Sequence, residues 1–376
     1  MTGTRAEELG TSTEKTWCPG CGNFGIMNAF LQAVGALGEE GISRERIIVC
    51  AGTGCIANGA LSVYERLKDL AREHGLSVTV SLDHDENHRH PEDGAQHVPG
   101  GGEKLPKDEG ADLLLSESGC QGFCQVGPLV SVEPDGILYV RVSADDAEEI
   151  VSETLVADRP IERLLYKDPR TGSPRRGKEE ISFYTRQSRT VLAACGKSDP
   201  DSLPEYVAAG GYRAARRALL EMTPEEVCDE VERAGLRGRG GGGFPTGRKW
   251  RLALKQTSAE KYIICNGDEG DPGAFMDRSI LEGNPHSVLE GMVIGARATG
   301  AHAGYVYVRA EYPLAVKRLR KAVADARKTG LLGKNIFDSG FDFDIYIMEG
   351  AGAFVCGEAS AMVSSIMGNR GMPRPK

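Results

Sequence analysis

Apolar positions along the chain follow two different periods. Residues 46–50 (RIIVC) form a short apolar run, and 60–74 place Leu61, Val63, Leu67 and Leu70 near helical spacing. Residues 76–82 alternate as a strand does, and 131–141 predict a hairpin turning at Asp135-Gly136. A closing helix is expected over 145–165. Beyond 183 the pattern lengthens. Residues 205–219 predict one helix. Thr223-Pro224-Glu225-Glu226 has the form of an N-cap, a first-turn proline and a capping-box glutamate, with Val227, Val231 and Ala234 as a partial stripe and Gly235 as the stop. Strands are then expected at 261–265, 304–309 and 342–348. Between and after them, helices are expected at 278–298, 314–328 and 358–367. Strands interleaved with long helices predict α/β architecture with a largely parallel sheet.

The 376 residues suggest two or three domains, and 45 basic against 54 acidic residues argue against a general nucleic-acid role. No run of 18 apolar residues occurs, so no membrane insertion is expected. The polar first residues carry no apolar signal segment, which makes the cytoplasm the expected compartment. There, ten cysteines favour metal or redox chemistry over disulfides.

Those cysteines are not evenly spread. Cys50 and Cys55 form one close pair after a predicted strand, and Cys120 and Cys124 form another. Four thiolates in two pairs suit an iron–sulfur cluster. Structural zinc is the alternative, although zinc sites more often use C-x2-C knuckles. Cys195, Cys228, Cys265 and Cys356 stand singly, as packed thiols do. Cys18 and Cys21 form a C-x2-C turn that could bind metal. Residues 83–110 are polar, and their histidines (His84, His88, His90, His97) fit a solvated loop better than a metal site.

Between two predicted helices lies the stretch 235–250, GLRGRGGGGFPTGRKW, in which seven of sixteen residues are glycine. Glycines there let a ligand approach the backbone. Free N–H groups with Arg237, Arg239, Arg248 and Lys249 around them suit an anion. A dinucleotide fingerprint would need a strand before the glycines. A plain linker would lack the Phe-Pro and Lys-Trp pairs.

This loop resembles the flavin and NADH loop of the flavoprotein subunit of respiratory complex I, a module shared with NAD-linked hydrogenases and formate dehydrogenases. The stretches 265–278, 307–313 and 350–358 resemble further blocks of that family, in its order. The region before them resembles the thioredoxin-like [2Fe-2S] ferredoxin domain of bifurcating hydrogenase beta subunits. The resemblance implies three parts: an extension over 1–45, a thioredoxin-like ferredoxin domain over 46–165 with an insertion at 83–110, and a complex-I-type, Rossmann-like FMN-binding α/β domain over 166–376. It implies [2Fe-2S] ligation by Cys50, Cys55, Cys120 and Cys124. It implies FMN contact at Gly238, Arg239, Gly240, Gly241, Lys249, Asn266, Asp268, Glu269, Gly357 and Glu358. Phe244 is implied to stack on the nicotinamide nucleotide, NAD(H) or NADP(H). For Asp268 and Glu269 the residues alone also allow turn and helix capping.

The implied activity is that of an NADH:acceptor oxidoreductase chain, with hydride passing between NAD(P)H and FMN and electrons passing to clusters. No catalytic acid or base is assigned. The implied partners are redox subunits of a hydrogenase, a formate dehydrogenase or a complex I-like assembly, including a small [2Fe-2S] subunit. Three departures bear on this. Ala359 stands where the family usually has a second glutamate. Leu252 stands where a second nucleotide-stacking aromatic is often found, and together they leave NADH versus NADPH open. The family pattern also continues past Lys376, so a [4Fe-4S] cluster is expected only in that absent C-terminal region, and the chain reads as a fragment or one half of a split gene. Two rival readings stay open. One is a non-catalytic [2Fe-2S] electron-transfer polypeptide with an empty flavin fold. The other rests on 17–30, which resemble the start of the beta subunit of thiamine-dependent 2-oxoacid:ferredoxin oxidoreductases.

Overall fold

A computed structural model describes residues 45–80 and 113–375. Cys18, Cys21 and the histidines of the 83–110 insertion lie outside the described residues. The described chain divides into two compact units. One comprises 45–80, 113–117 and 122–188, the other 118–121 and 189–375.

The first unit is built on a five-stranded sheet. Its strands are β1 (Glu45–Cys50), β2 (Val78–Val80), β3 (Leu113–Ser118), β4 (Leu129–Glu133) and β5 (Ile137–Val140), in the order β2-β3-β1-β4-β5. β4 and β5 pair antiparallel across the Asp135-Gly136 turn, where Gly136 has φ +67°, as the sequence predicts. The short helix α1 (Thr53–Ala57) follows β1, and α2 (Ala60–Glu73) follows it. α2 buries Ala60, Val63, Tyr64, Leu67, Leu70 and Ala71. These positions recur every three or four residues along one face. Leu61, expected on that stripe, is exposed. Full burial of Leu67 and Leu70 contributes about 1.5–3 kcal/mol each.

The expected helix over 145–165 is shorter. Ala147–Glu149 opens it, it continues as a π-helical stretch, Ile150–Val156, and it ends well before Pro160. The unit also continues to 188 instead of closing at 165. The chain returns as a two-stranded pair, β6 (Tyr166–Lys167) and β7 (Pro174–Arg175), bridged to β5 through Tyr139 and Leu165. Ile181 joins the core of this unit, and Phe183 stacks on Phe123 at 4.4 Å.

The second unit has a four-stranded sheet ordered β10-β11-β9-β8. The strands are β8 (Tyr262–Gly267), β9 (Ala303–Arg309), β10 (Gly333–Ile336) and β11 (Phe341–Gly350). β8, β9 and β11 run parallel, and β10 is an antiparallel edge that the apolar pattern does not predict. Its helices are α3 (Leu203–Ala208), α4 (Arg213–Glu221), α5 (Pro224–Arg233), α6 (Thr246–Leu254), α7 (Met276–Gly283), α8 (Pro285–Thr299), α9 (Pro313–Lys328) and α10 (Ala359–Ile366). The single helix expected over 205–219 is two. Gly210 at φ +97° and Tyr212 at φ +60° break it, and a Cβ at Gly211 would fall 2.2 Å from the Tyr206 ring. The helix expected over 278–298 is likewise interrupted, at Asn284-Pro285.

One face of the sheet packs Val306, Val308, Phe343 and Ile345 against α8 and α9. The opposite face is covered at Tyr307 by Met362 of α10. Farther along that face, Tyr262, Tyr305 and Tyr346 form a ladder with ring centroids 6.0 and 5.7 Å apart.

Beneath α4 lies a buried polar network. Glu290 accepts from Tyr206 Oη at 2.6 Å, Tyr212 N at 2.8 Å and Ala215 N at 3.1 Å. Tyr212 Oη bonds His286 Nδ1 at 3.1 Å. Burial, with Lys321 nearby, holds the His286 pKa down at about 3, against 6.5 for an unburied ring. The folded state therefore keeps the ring neutral while the unfolded chain protonates it. That stabilisation is complete above pH 6.5 and is lost as pH falls towards 3. Urea unfolding across this window should show His286→Gln with a shallower loss than the parent chain, by up to about 1.4 kcal/mol per pH unit. Parallel profiles would refute it. Glu290→Ala orphans three donors and is expected to cost about 2–4 kcal/mol at any pH in the same measurement.

Candidate functional site

In an open α/β sheet, ligands sit outside the carboxyl ends of the parallel strands. β8, β9 and β11 end at Gly267, Arg309 and Gly350, within one residue of each other: Gly350 pairs with Arg309 and Gly267 with Val308. Asp268, Glu269, Gly357 and Glu358, four of the residues singled out from the sequence, follow these ends, and Asn266 lies just inside β8. Asn266 is the second-last residue of β8, and its Nδ2 donates to Gly357 O at 2.9 Å, tying the β8 exit to the turn before α10. Its Oδ1 accepts from Asp268 N at 3.2 Å.

Asp268 is the unusual group. Its side chain is 1% exposed, and neither carboxylate oxygen has a hydrogen-bond partner. The Arg309 guanidinium stands 3.9 Å away. Burial pushes the Asp268 carboxyl up, and the Arg309 charge opposes that shift. A buried polar group left this way costs roughly 1–3 kcal/mol.

Glu269 and Glu358 play a different part. Glu269 accepts from Met276 N at 2.8 Å, Asp277 N at 3.2 Å and Arg278 N at 3.1 Å, which satisfies the first turn of α7. Glu358 accepts from Ser360 N at 2.8 Å and Ala361 N at 3.0 Å at the start of α10. Both carboxylates are helix caps, the alternative that the residues themselves leave open for Glu269. Gly357 lies against Asp268. A Cβ there would stand 3.4 Å from Asp268 O and 3.8 Å from Oδ2.

The glycine loop joins α5 to α6, as the sequence predicts. The capping box at Thr223 is formed, with Thr223 N donating to Glu226 Oε2 at 2.7 Å. The loop is a closed-necked excursion. Arg237 and Pro245 pair as a bridge, Gly238 N donates to Phe244 O at 3.0 Å, and Thr246 N donates to Leu236 O at 2.9 Å. Gly238 thus closes the neck. At the tip, Gly240, Gly241 and Gly242 have nothing within 4 Å of a would-be Cβ. Their N–H groups donate to no backbone acceptor among the described residues. Gly241 needs its glycine for φ +90°. Arg239 Nη1 donates to Arg237 O at 2.8 Å, and Lys249 is exposed on α6. Phe244 is half exposed, with the Arg248 guanidinium 5.9 Å from its ring centroid.

The tip offers N–H donors without a backbone acceptor and cations, and the strand-end loops offer a buried carboxyl that faces Arg309 but has no hydrogen bond. These residues fit a phosphate-bearing, ring-containing group such as FMN.

The cysteines gather less completely. Cys50 ends β1 and Cys55 lies in α1, both buried, and Cys124 opens a 3₁₀ turn, Cys124–Val126, and is exposed. In the first unit a Cβ at Gly127 would stand 2.7 Å from Cys55 Sγ, and one at Gly54 would stand 3.4 Å from Cys124 Sγ. Cys55 and Cys124 thus border the same pair of turns. Cys120 groups with the second unit. Among the described residues no three His, Cys, Asp or Glu side chains are arranged to hold a metal ion. Burial pushes the Cys195 thiol up to about 11 and the Cys265 thiol up to about 12, as befits packed residues. Among the described residues no helix is long and apolar enough to cross a membrane.

Comparison with known proteins places one part of the chain. Residues 231–376 match the Nuo51 FMN-binding domain family. The HndC chain of the NADP-reducing hydrogenase of Solidesulfovibrio fructosivorans is 58% identical over 191 residues, 51% of this chain and 39% of that one. A chain of the NADH-quinone oxidoreductase of Aquifex aeolicus is 51% identical over 186 residues, and its counterpart in Escherichia coli is 47% identical over 178 residues. These matches cover 50% and 47% of this chain, and 43% and 40% of those two.

Glu269→Ala should speed amide exchange at Met276, Asp277 and Arg278 and cost about 1–2 kcal/mol. Unchanged exchange at those three amides would remove the capping role.

Proposed function

We propose that this chain, whose residues 231–376 match the Nuo51 FMN-binding domain family, is the flavin-bearing part of an NAD(P)H:acceptor oxidoreductase. The observation that carries the reading is the glycine tip. Three successive glycines next to Arg239 expose N–H groups with no backbone acceptor among the described residues, on a loop whose neck is hydrogen-bonded shut and which leads into the helix that carries Lys249. Bound FMN supplies the exchange of a hydride for single electrons. The chain's part is to bind, orient and exclude water. In this reading Gly240, Gly241, Arg239 and Lys249 bind the phosphate side, while Asn266, Asp268 and Gly357 bind the ring side. Phe244 offers its half-exposed face to the nicotinamide nucleotide. Glu269 and Glu358 act at one remove, by fixing α7 and α10.

The first unit is proposed to be a thioredoxin-like ferredoxin domain that passes electrons through a [2Fe-2S] cluster on Cys50, Cys55, Cys120 and Cys124. The meeting of the Cys55 and Cys124 turns supports this, and the remaining two thiolates are assigned by the sequence resemblance. The partners proposed are redox subunits of a hydrogenase, formate dehydrogenase or complex I-like assembly, in the cytoplasm.

Purified protein reconstituted with FMN, iron and sulfide is expected to absorb near ~450 nm from flavin, with a broad tail from the cluster. Absence of flavin uptake sinks the proposal. Cys120→Ser should lower bound iron while Cys228→Ser should not, and equal iron in both would withdraw the ligand assignment. Gly240→Val has a sharper signature. Its Cβ meets nothing within 4 Å in the protein, so thermal unfolding should be unchanged. FMN affinity should nonetheless fall about tenfold or more, because the side chain takes the space where ligand meets backbone.

A further inference from the structure

We infer that Arg309, which lies in the 307–313 block but was given no role by the sequence, is a positioning residue that locks the β8 and β11 exit loops into one surface for the flavin, an inference that rests on the reading above. Its guanidinium makes contact in four directions. Nη1 donates to Glu269 O at 3.0 Å, on the loop leaving β8. Nη2 donates to Gly352 O at 3.2 Å, on the loop leaving β11. Nη2 and Nε meet Glu311 at 3.0 and 3.5 Å, and Nε faces buried Asp268 at 3.9 Å. The guanidinium also lies 5.9 Å from the Tyr312 ring centroid, and Tyr312 Oη donates to Glu269 O at 2.9 Å. The side chain is only 15% exposed.

The fit leaves no slack. A Cβ at Gly352, which has φ +81°, would stand 2.0 Å from Glu311 Oε1. The Arg309–Glu311 pair is therefore pressed against the backbone it holds. The loops so joined carry Asn266 and Asp268 on one side and lead to Gly357 on the other. A planar fork with five donors can reach two carbonyls and two carboxylates together, whereas a lysine ammonium cannot. Arg309 also supplies the positive charge facing Asp268, and so holds that buried carboxyl in place.

Arg309→Gln and Arg309→Lys are compared with Arg327→Gln and Tyr312→Phe. Arg327 makes a similar tether at the opposite end of β11, to Asp344 Oδ1 and Ile345 O. The readouts are hydrogen exchange of the protein without FMN, and FMN affinity by fluorescence quenching. Both Arg309 variants are expected to speed exchange at 268–278 and 350–358 together. Both should raise the FMN dissociation constant about ten- to a hundredfold, and Lys should not rescue. Arg327→Gln should do neither. Tyr312→Phe, which removes a single bond, should loosen 268–278 alone, and it serves if the Arg309 variants do not fold. Parental exchange at both loops in Arg309→Gln, or parental FMN affinity in it, overturns the inference. If the parent chain itself takes up no FMN, the flavin reading fails, while the exchange data still decide whether Arg309 joins the loops.

Discussion

Three parallel strands that stop within one residue of each other leave their last backbone groups at one edge, and the loops of the second unit there are arranged around satisfying them. β8, β9 and β11 each pass into a loop there, and no further strand can take up the exposed amides. The chain meets the demand with side chains. Glu269 and Glu358 cap α7 and α10, Asn266 reaches Gly357, and Arg309 gathers two carbonyls from different loops. At this edge the Asp268 carboxylate is left without a hydrogen bond, and on the glycine loop the tip amides have no backbone acceptor among the described residues.

The two neighbouring acids in this region look alike in sequence and do different work. Asp268 and Glu269 are adjacent, yet one carboxylate is buried without a hydrogen bond and the other accepts three. The difference follows from the turn of the backbone after β8. Asp268 is directed towards Arg309, and Glu269 towards the first turn of α7. A carboxylate at a helix N-terminus gains from both hydrogen bonds and the helix dipole, which is ample reason for Glu269 without a ligand.

Much of this was legible in the chain. The Thr223 capping box, the Asp135-Gly136 hairpin, the Ala60 helix and the alternation after 261 all rest on local chemistry, and the structure keeps them. The misses are of two kinds. Some were local signals passed over. Gly210-Gly211 announced a break, and Asn284-Pro285 announced another, but the apolar stripe on either side concealed them. Others were not local at all. The return of 166–188 to the first unit depends on Ile181 and Phe183 finding a core far back in the sequence, and β10 exists because β11 offers an edge. The role of Arg309 was illegible for the same reason. Its four contacts come from three loops, and no spacing along the chain encodes them.

The crossing of α5 and α6 carries one more consequence. Gly247 brings the two helices so close that a Cβ there would lie 2.6 Å from Glu232 N and 2.7 Å from Cys228 O. With Arg251 bonded to Asp229 and Glu232, neither flank of the glycine loop can slide. The neck bonds at Gly238 and Thr246 shorten the free arc further. Whatever conformational freedom so many glycines confer is thereby restricted to a few residues at the tip, and the entropy lost when a ligand settles there is that of a short flap and not of the whole glycine-rich stretch.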